Sequence, residues 1–267
     1  EGQRKMNTRK LGVVAGVIAL IVGLFTGCGL STDSSSDSGR SVTYSVDGSK
    51  ESIRIASGSE NKEVGAVIER AAKQANVSVI IDYMGSLDIM DALRNEGHHA
   101  GKDYDAVWPA SSMWITMGDT KHIAKDQVST STTPVVFGVK QSKAEELGWA
   151  DADGSTKPVA TKDIMDAVKS KKLSFAMTSA TQSNSGASAY MAFLAALHGG
   201  DAALTKADLE DASLQSSVKT LLSGVNHSSG SSDWLKDMLV NDPDASDSMV
   251  NYESLVIQAD KELTAKN

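Results

Sequence analysis

The stretch "SIRIASGSENKEVGAVIERAAKQANVSVIIDYMG", residues 52–85, decides the fold class. Its first part, "SIRIAS" (52–57), is a strand candidate. In "NKEVGAVIERAAKQA" (61–75), Val64, Val67, Ile68 and Ala71 recur at helical spacing, and "VSVIIDYMG" (77–85) returns to an extended apolar run. Ser86 then caps "LDIMDALRN", and "YDAVWPA" (104–110) forms a third strand closed by Pro109. The resulting β-α-β-α-β order points to an α/β protein with a mostly parallel sheet and helices on both faces.

Further along, "VSTSTTPVVFGVK" (128–140) is β-branched and reads as one long strand leaving a first lobe and entering a second. The alternation then resumes. Ser142 opens a short helix ending at "LGW", Thr161 caps "KDIMDAVKSK", "LSFAMTSA" (173–180) is a strand, and "GASAYMAFLAALHGG" is a helix ended by its glycines. Helices are expected near "LQSSVKTLLSGV" and "SDWLKDMLVN", and "DSMVNYESLVIQ" is a last strand candidate. No repeat of solenoid period is present.

In the other direction the pattern stops. "GLSTDSSSDSGRS", following Cys28, is rich in serine, glycine and aspartate and buries too little apolar surface to order itself, so residues 28–48 read as a linker. Before it lie a basic segment "MNTRK", an apolar run "LGVVAGVIALIVGLF" and a small-residue exit "TGC": the layout of an export signal over residues 1–27. Residues 1–5 precede Met6, which reads as the start. The run is shorter than the roughly 20 apolar residues of a spanning helix. "LFTGC" resembles the lipobox of bacterial lipoproteins, which implies that Cys28 is lipidated and becomes the mature first residue. Phe25 stands where leucine is commonest in that motif. An uncleaved N-terminal anchor with an incidental cysteine is the alternative, and both deliver the remainder outside the cytoplasm.

With 267 residues the chain can build two modest cores, and its single cysteine excludes an internal disulfide or a cysteine-cluster metal site. The net charge is −8, and four basic residues against one acidic residue fall in the first 27, so the remainder is more acidic still. Such a surface does not favour nucleic acid, whose binding needs basic contacts to phosphates.

Ligands of open α/β sheets lie beyond the carboxyl ends of the strands. Four such places share a composition: Ser57-Gly58-Ser59-Glu60-Asn61, Ala110-Ser111-Ser112-Met113-Trp114, Thr181-Gln182-Ser183-Asn184-Ser185-Gly186, and "NHSSGSSDW" (226–234). Small hydroxyl residues and glycine leave backbone N–H groups uncovered, and a helix start adds roughly half a positive charge. That chemistry suits a small polar or anionic solute. The same residues are ordinary helix caps; the recurrence at several strand ends is what favours a pocket.

Other chemistries lack their parts. Residues 181–186 have no Gly-Lys-Ser/Thr ending of a phosphate loop, and "GASAY" is no nucleophile elbow, with no histidine or acid assignable to Ser188. His98-His99 sits in a glycine-flanked turn that reads as a solvated loop, and His198 suits a helix C-terminus. Trp114, Trp149 and Trp234 read as core or lobe-packing residues before pocket walls. Asp105, Glu60 and Glu253 are the acids nearest strand ends, without a partner that would make them catalytic. No enzyme activity, cofactor or metal is expected.

Taken in order, "SGSENK" (57–62), "GSLDIMDAL" (85–93), "YDAVWPASSMWI" (104–115), "PVVFGVKQSKAEELGW" (134–149), "TSATQSNSGASAY" (178–190), "SSGSSDWLKD" (228–237) and "NYESLVIQAD" (251–260) resemble the extracellular solute-binding proteins of ABC transporters. The resemblance spans roughly residues 51–267 and is closest to solute-binding domains that in many proteins precede a von Willebrand factor A domain. It implies a periplasmic-binding-protein type II fold, two α/β lobes with mixed, mostly parallel sheets flanked by helices, closing over a solute. Lobe one would span 49–131 and lobe two 132–267, with a hinge at 130–135. The resemblance places ligand contacts at Ser57, Ser59, Glu60, Ser111 and Ser112 in lobe one. In lobe two it places them at Thr181, Gln182, Ser183, Ser185 and Gly186, with Ser229, Ser231, Asn251 and Tyr252 as further positions. In the family a return crossover after "NYESLVIQADKEL" completes lobe one, so the chain reads as truncated before that element. The expected protein is a monomeric receptor, lipid-anchored on the outer face of the membrane, with an ABC permease as partner. An adhesion or envelope-assembly module using the same fold is the second reading, and an extracytoplasmic hydrolase the third.

Overall fold

The computed structural model describes residues 41–95, 103–200 and 203–266. The chain is a mixed α/β protein that divides between Thr132 and Thr133 into two units, each built on a four-stranded mixed sheet flanked by helices. Cys28, the export segment and His98-His99 lie outside the described residues.

In the first unit, β1 (Ser41–Tyr44), β2 (Ser52–Gly58), β3 (Ser78–Met84) and β4 (Ala106–Trp108) lie in the order β1-β3-β2-β4. β2 is parallel to both β3 and β4, and β1 is antiparallel to β3. Ile53 pairs with Val79 and Ile55 with Ile81, and all four are almost wholly buried. Helix α1 (Gly65–Ala75) turns Val67, Ile68, Ala71 and Ala72 into the same core. Each fully buried aliphatic side chain there contributes roughly 1.5–3 kcal/mol. The helix stops at Asn76, whose left-handed backbone (φ 53°) asparagine tolerates better than most residues. Helices α2 (Ser86–Arg94) and α3 (Ser112–Gly118) pack on each other through Ile89, Leu93 and Ile115.

The second unit holds β5 (Val135–Val139), β6 (Phe175–Met177), β7 (Val225–His227) and β8 (Ser248–Tyr252) in the order β5-β8-β6-β7. β6 is parallel to β7 and β8, while β5 runs antiparallel to β8. Its helices are α4 (Gln141–Glu146), α5 (Thr161–Lys169), α6 (Asn184–His198), α7 (Lys206–Glu210), α8 (Ala212–Leu222), α9 (Ser232–Asn241) and α10 (Glu253–Lys266). Phe175, fully buried at the sheet centre, meets Phe137 at 5.2 Å and Phe193 at 6.4 Å between ring centroids. On the other face Leu235, Leu239 and Ala259 join α9 and α10.

A charged group sits between these two helices. Lys236 is 4% exposed, with Asp237 and Glu262 each 3.0 Å from its ammonium and Asp233 at 3.5 Å. Burial alone would depress its pKa; the three carboxylates outweigh that and hold it above the ordinary lysine value.

Five sequence expectations are corrected. Residues 41–44, assigned to the linker, form β1, because Val42 and Tyr44 alternate with polar neighbours and pack on the first core. The long strand over 128–140 contracts to Val135–Val139, the part that finds a partner in β8. The last strand ends at Tyr252, and Glu253 already starts α10. Ser86 and Thr161 are first helical residues rather than caps; Gly85 and Ala160 hold those positions, which frees the Ser86 hydroxyl for another element. β7 and α7 were not foreseen: each is short, and "VNH" carries no alternation of its own.

Candidate functional site

Both sheets share one arrangement. The first strand of each parallel set, β2 or β6, lies between the second and the third, so chain order reverses beside it. In open α/β sheets the crevice beyond the carboxyl ends at such a reversal is where ligands sit.

At the carboxyl ends of the first unit's strands, polar groups cross-link the three strand-to-helix junctions. Ser57, near the end of β2, is fully buried, and its hydroxyl accepts a 3.0 Å hydrogen bond from Asn61 Nδ2. The same amide reaches the Trp108 carbonyl at the end of β4 over 3.4 Å. Ser86 Oγ accepts from the Ala110 backbone N–H at 3.0 Å, tying the loop after β4 to the start of α2. Ser111 caps α3 by accepting from Met113 N at 3.2 Å. Ser59 is fully buried in a 3-10 turn (Ser59–Val64), Glu60 and Ser111 are half-buried, and Ser112 is exposed.

The second unit repeats the plan with a denser network. After β6, Thr178 Oγ1 lies 2.8 Å from Ser185 Oγ. Ser185 Oγ lies 2.8 Å from Ser232 Oγ, and Ser183 Oγ is 3.3 Å from Ser185 and 3.2 Å from Ser232. These hydroxyls are buried and join the start of α6 to the start of α9. Asn251 Nδ2 donates to the Ser232 carbonyl at 2.9 Å, and Asn184 Nδ2 donates to the Tyr252 hydroxyl at 2.8 Å. Ser179 N donates to the Ser229 carbonyl at 2.8 Å, holding the two loops side by side.

Gly186 makes the approach possible. A β-carbon there would lie 2.2 Å from the Thr178 carbonyl oxygen and 2.8 Å from its hydroxyl, too close for any side chain. Two helix N-termini therefore converge beside the reversal, each contributing partial positive charge.

The residues singled out in the sequence thus fall into two groups. Ser57, Ser59, Ser183, Ser185, Gly186, Ser231, Asn251 and Tyr252 are buried, and those hydroxyls and amides that bond one another form a scaffold. Thr181, Gln182 and Ser112 are exposed, with Ser111, Glu60 and Ser229 half-buried, and these are the side chains within reach of solvent. Sequence reasoning did not separate Ser232 from Ser231, or identify Thr178 and Asn184 as cross-links, because a serine run does not reveal which hydroxyl turns inward. Asn61 and Asn184 do carry a signal: each lies at the helix entry three or more residues beyond its strand in otherwise hydroxyl-rich loops.

Other expected positions resolve simply. Trp114 is buried, Trp149 packs against the second unit's core, and His198 ends α6 with Nε2 3.7 Å from Asp208 Oδ1. Asp105 Oδ2 accepts from Arg54 N at 3.0 Å. Among the described residues no group of three or more His, Cys, Asp or Glu side chains is placed to hold a metal ion.

Each of the two α/β units thus carries hydroxyl-lined junctions at its strand ends. The chain belongs to the bacterial extracellular solute-binding protein family, whose pattern matches residues 53–265. Its role is therefore solute binding outside the cytoplasm, in a family that is generally not enzymatic. A solved structure described as "Two-component system protein mediate signal transduction" is 12% identical, with a TM-score of 0.45, covering 79% of this chain and 67% of that one. No curated protein matches the chain. No helix among the described residues is long and apolar enough to cross a membrane.

Proposed function

We propose that this protein captures a small polar or anionic solute at the loops beyond its strand carboxyl ends and delivers it to an ABC permease. The observation that carries the reading is the tie between the starts of α6 and α9 through Ser183, Ser185 and Ser232. Such a tie fixes two sets of helix N–H groups on one spot, and prepositioned dipoles bind oxygens even in an acidic protein. Thr181, Gln182 and Ser229 in the second unit, and Glu60, Ser111 and Ser112 in the first, are the side chains that would meet the solute. Lipidation of Cys28 would hold the receptor at the outer face of the membrane, working as a monomer.

The test is thermal unfolding of the full chain against a library of sugars, amino acids, oxyanions and peptides. A solute at 100 times its dissociation constant stabilises by about 2.7 kcal/mol. A shift that is lost in Thr181→Ala and Gln182→Ala supports the reading. No shift with any class overturns it in favour of a surface that presents the fold to a protein partner.

A further inference from the structure

The second unit has a cavity at the opposite ends of its strands. It lies where Ser174 enters β6, Gly224 enters β7 and Asp247 enters β8, and has a volume of about 400 Å³. That falls within the range of about 300–1,000 Å³ usual for small-molecule sites. The loops discussed above leave the carboxyl ends of the same strands, and of their residues the cavity shares Asn226 alone.

Its floor is polar but internally satisfied. Asp247 Oδ2 accepts from Ser174 N at 3.1 Å and Ser174 Oγ at 3.2 Å, and Asn226 Nδ2 donates to Ser174 Oγ at 3.1 Å. Lys143 on one wall is occupied by Glu146 at 2.7 Å, Asp247 at 3.6 Å and the Lys172 carbonyl at 3.3 Å. The two carboxylates share that one ammonium, and Lys171 and Lys172 bring the charge of the lining to a net positive. The remaining cations on the lining are Lys171 and Lys172, both exposed at the mouth.

The backbone at Lys171 is the second observation. Helix α5 ends in a turn in which Lys171 N donates to Val168 O and Lys172 N to Ala167 O, each at 2.9 Å, with Lys171 in the left-handed region at φ 56°. Glycine is the residue such a helix end ordinarily takes, and any side chain there is strained. The chain accepts that strain at an exposed lysine of the cavity lining.

We propose that this cavity is a second binding site, specific for a small dianion of the phosphate or phosphomonoester type, held by Lys171 and Lys172. The proposal does not rest on the solute-capture reading. The strained lysine offers a clean test, because Lys171→Gly removes the cation and relieves the backbone together. Inorganic phosphate and glycerol phosphate are titrated calorimetrically into the full chain, with Lys171→Gly, Lys172→Ser and, as a control outside the cavity lining, Lys169→Gln. Saturable one-to-one binding is expected for one or both anions. Lys171→Gly should weaken it by about tenfold, as loss of one charge-assisted contact implies, while its thermal midpoint stays level or rises. Lys172→Ser should weaken binding to a similar degree, and Lys169→Gln should leave it unchanged. Absence of saturable binding, or an equal loss in Lys169→Gln, overturns the proposal. Neither outcome bears on solutes held at the strand carboxyl ends, which Thr181→Ala and Gln182→Ala report.

Discussion

Asn184 Nδ2 donates to the Tyr252 hydroxyl over 2.8 Å, and this bond joins the first turn of α6 to the end of β8 across the point where strand order reverses. In the first unit Asn61 makes the corresponding span, from the loop after β2 to the end of β4. An asparagine thus bridges the same crevice in each unit.

Tyr252→Phe removes the acceptor of a buried amide. Denaturant unfolding should show a loss of about 1–3 kcal/mol, the cost of leaving such a group short of a partner. A loss within experimental error would mean that the bridge contributes nothing to holding α6.

The hydroxyl cluster predicts coupling. Ser185→Ala and Ser232→Ala should each destabilise, and the double variant should cost less than their sum, because the 2.8 Å bond they share can be lost only once. Strict additivity in a double-mutant cycle would sever the proposed link between the starts of α6 and α9.

Gly186→Ala should be among the most damaging single-methyl changes in the chain. The added carbon would meet the Thr178 carbonyl oxygen at 2.2 Å, and overpacking of this kind costs about 1–3 kcal/mol. Gly154→Ala is the comparison, since φ there is +84° but nothing lies within 4 Å, so only backbone strain is incurred. Thermal midpoints ranked the other way would remove the close-approach account.

Acid should unlock the pairs that hold α10 and β3. Burial opposes ionisation of Glu262, yet the Gln258 amide at 2.9 Å and the Lys236 ammonium at 3.0 Å outweigh it and hold its carboxyl below the ordinary range. Asp82 behaves likewise: burial opposes its ionisation, and Arg54 at 2.6 Å outweighs burial. A folded-state pKa that is depressed gives stability present above the ordinary carboxylate pKa, about 4, and lost as pH falls through the folded value. Glu262→Gln should therefore lower the thermal midpoint at neutral pH, and the gap from the parent should shrink as pH falls. A gap that stays constant with pH would show that Glu262 acts through packing rather than charge.

How much was legible differs between strands and loops. Residues 52–85 revealed a strand, a helix and a strand because apolar periodicity is a local property, and burial obeys it at Ile53, Ile55, Val67, Ile68, Val79 and Ile81. β1 and β7 escaped notice because four- and three-residue strands carry too few positions to show a period, and each exists through its neighbour. The loops were recognisable by composition alone. Serine, threonine, asparagine and glycine mark a helix entry without saying which side chain faces solvent, so Ser185 and Thr181 looked equivalent although one is fully buried and the other exposed.

The chain by itself determined the alternation of elements and the hydroxyl-rich strand ends, since each depends on neighbours in sequence. Tertiary structure alone decided that Ser232 rather than Ser231 meets Ser185, that Gly186 is needed for backbone contact with Thr178, and that Lys171 takes a strained conformation at a cavity mouth. The physical reason is that hydrogen bonds and steric exclusion act over about 3 Å. Asn184 and Tyr252, which are that close to one another, stand 68 positions apart along the chain.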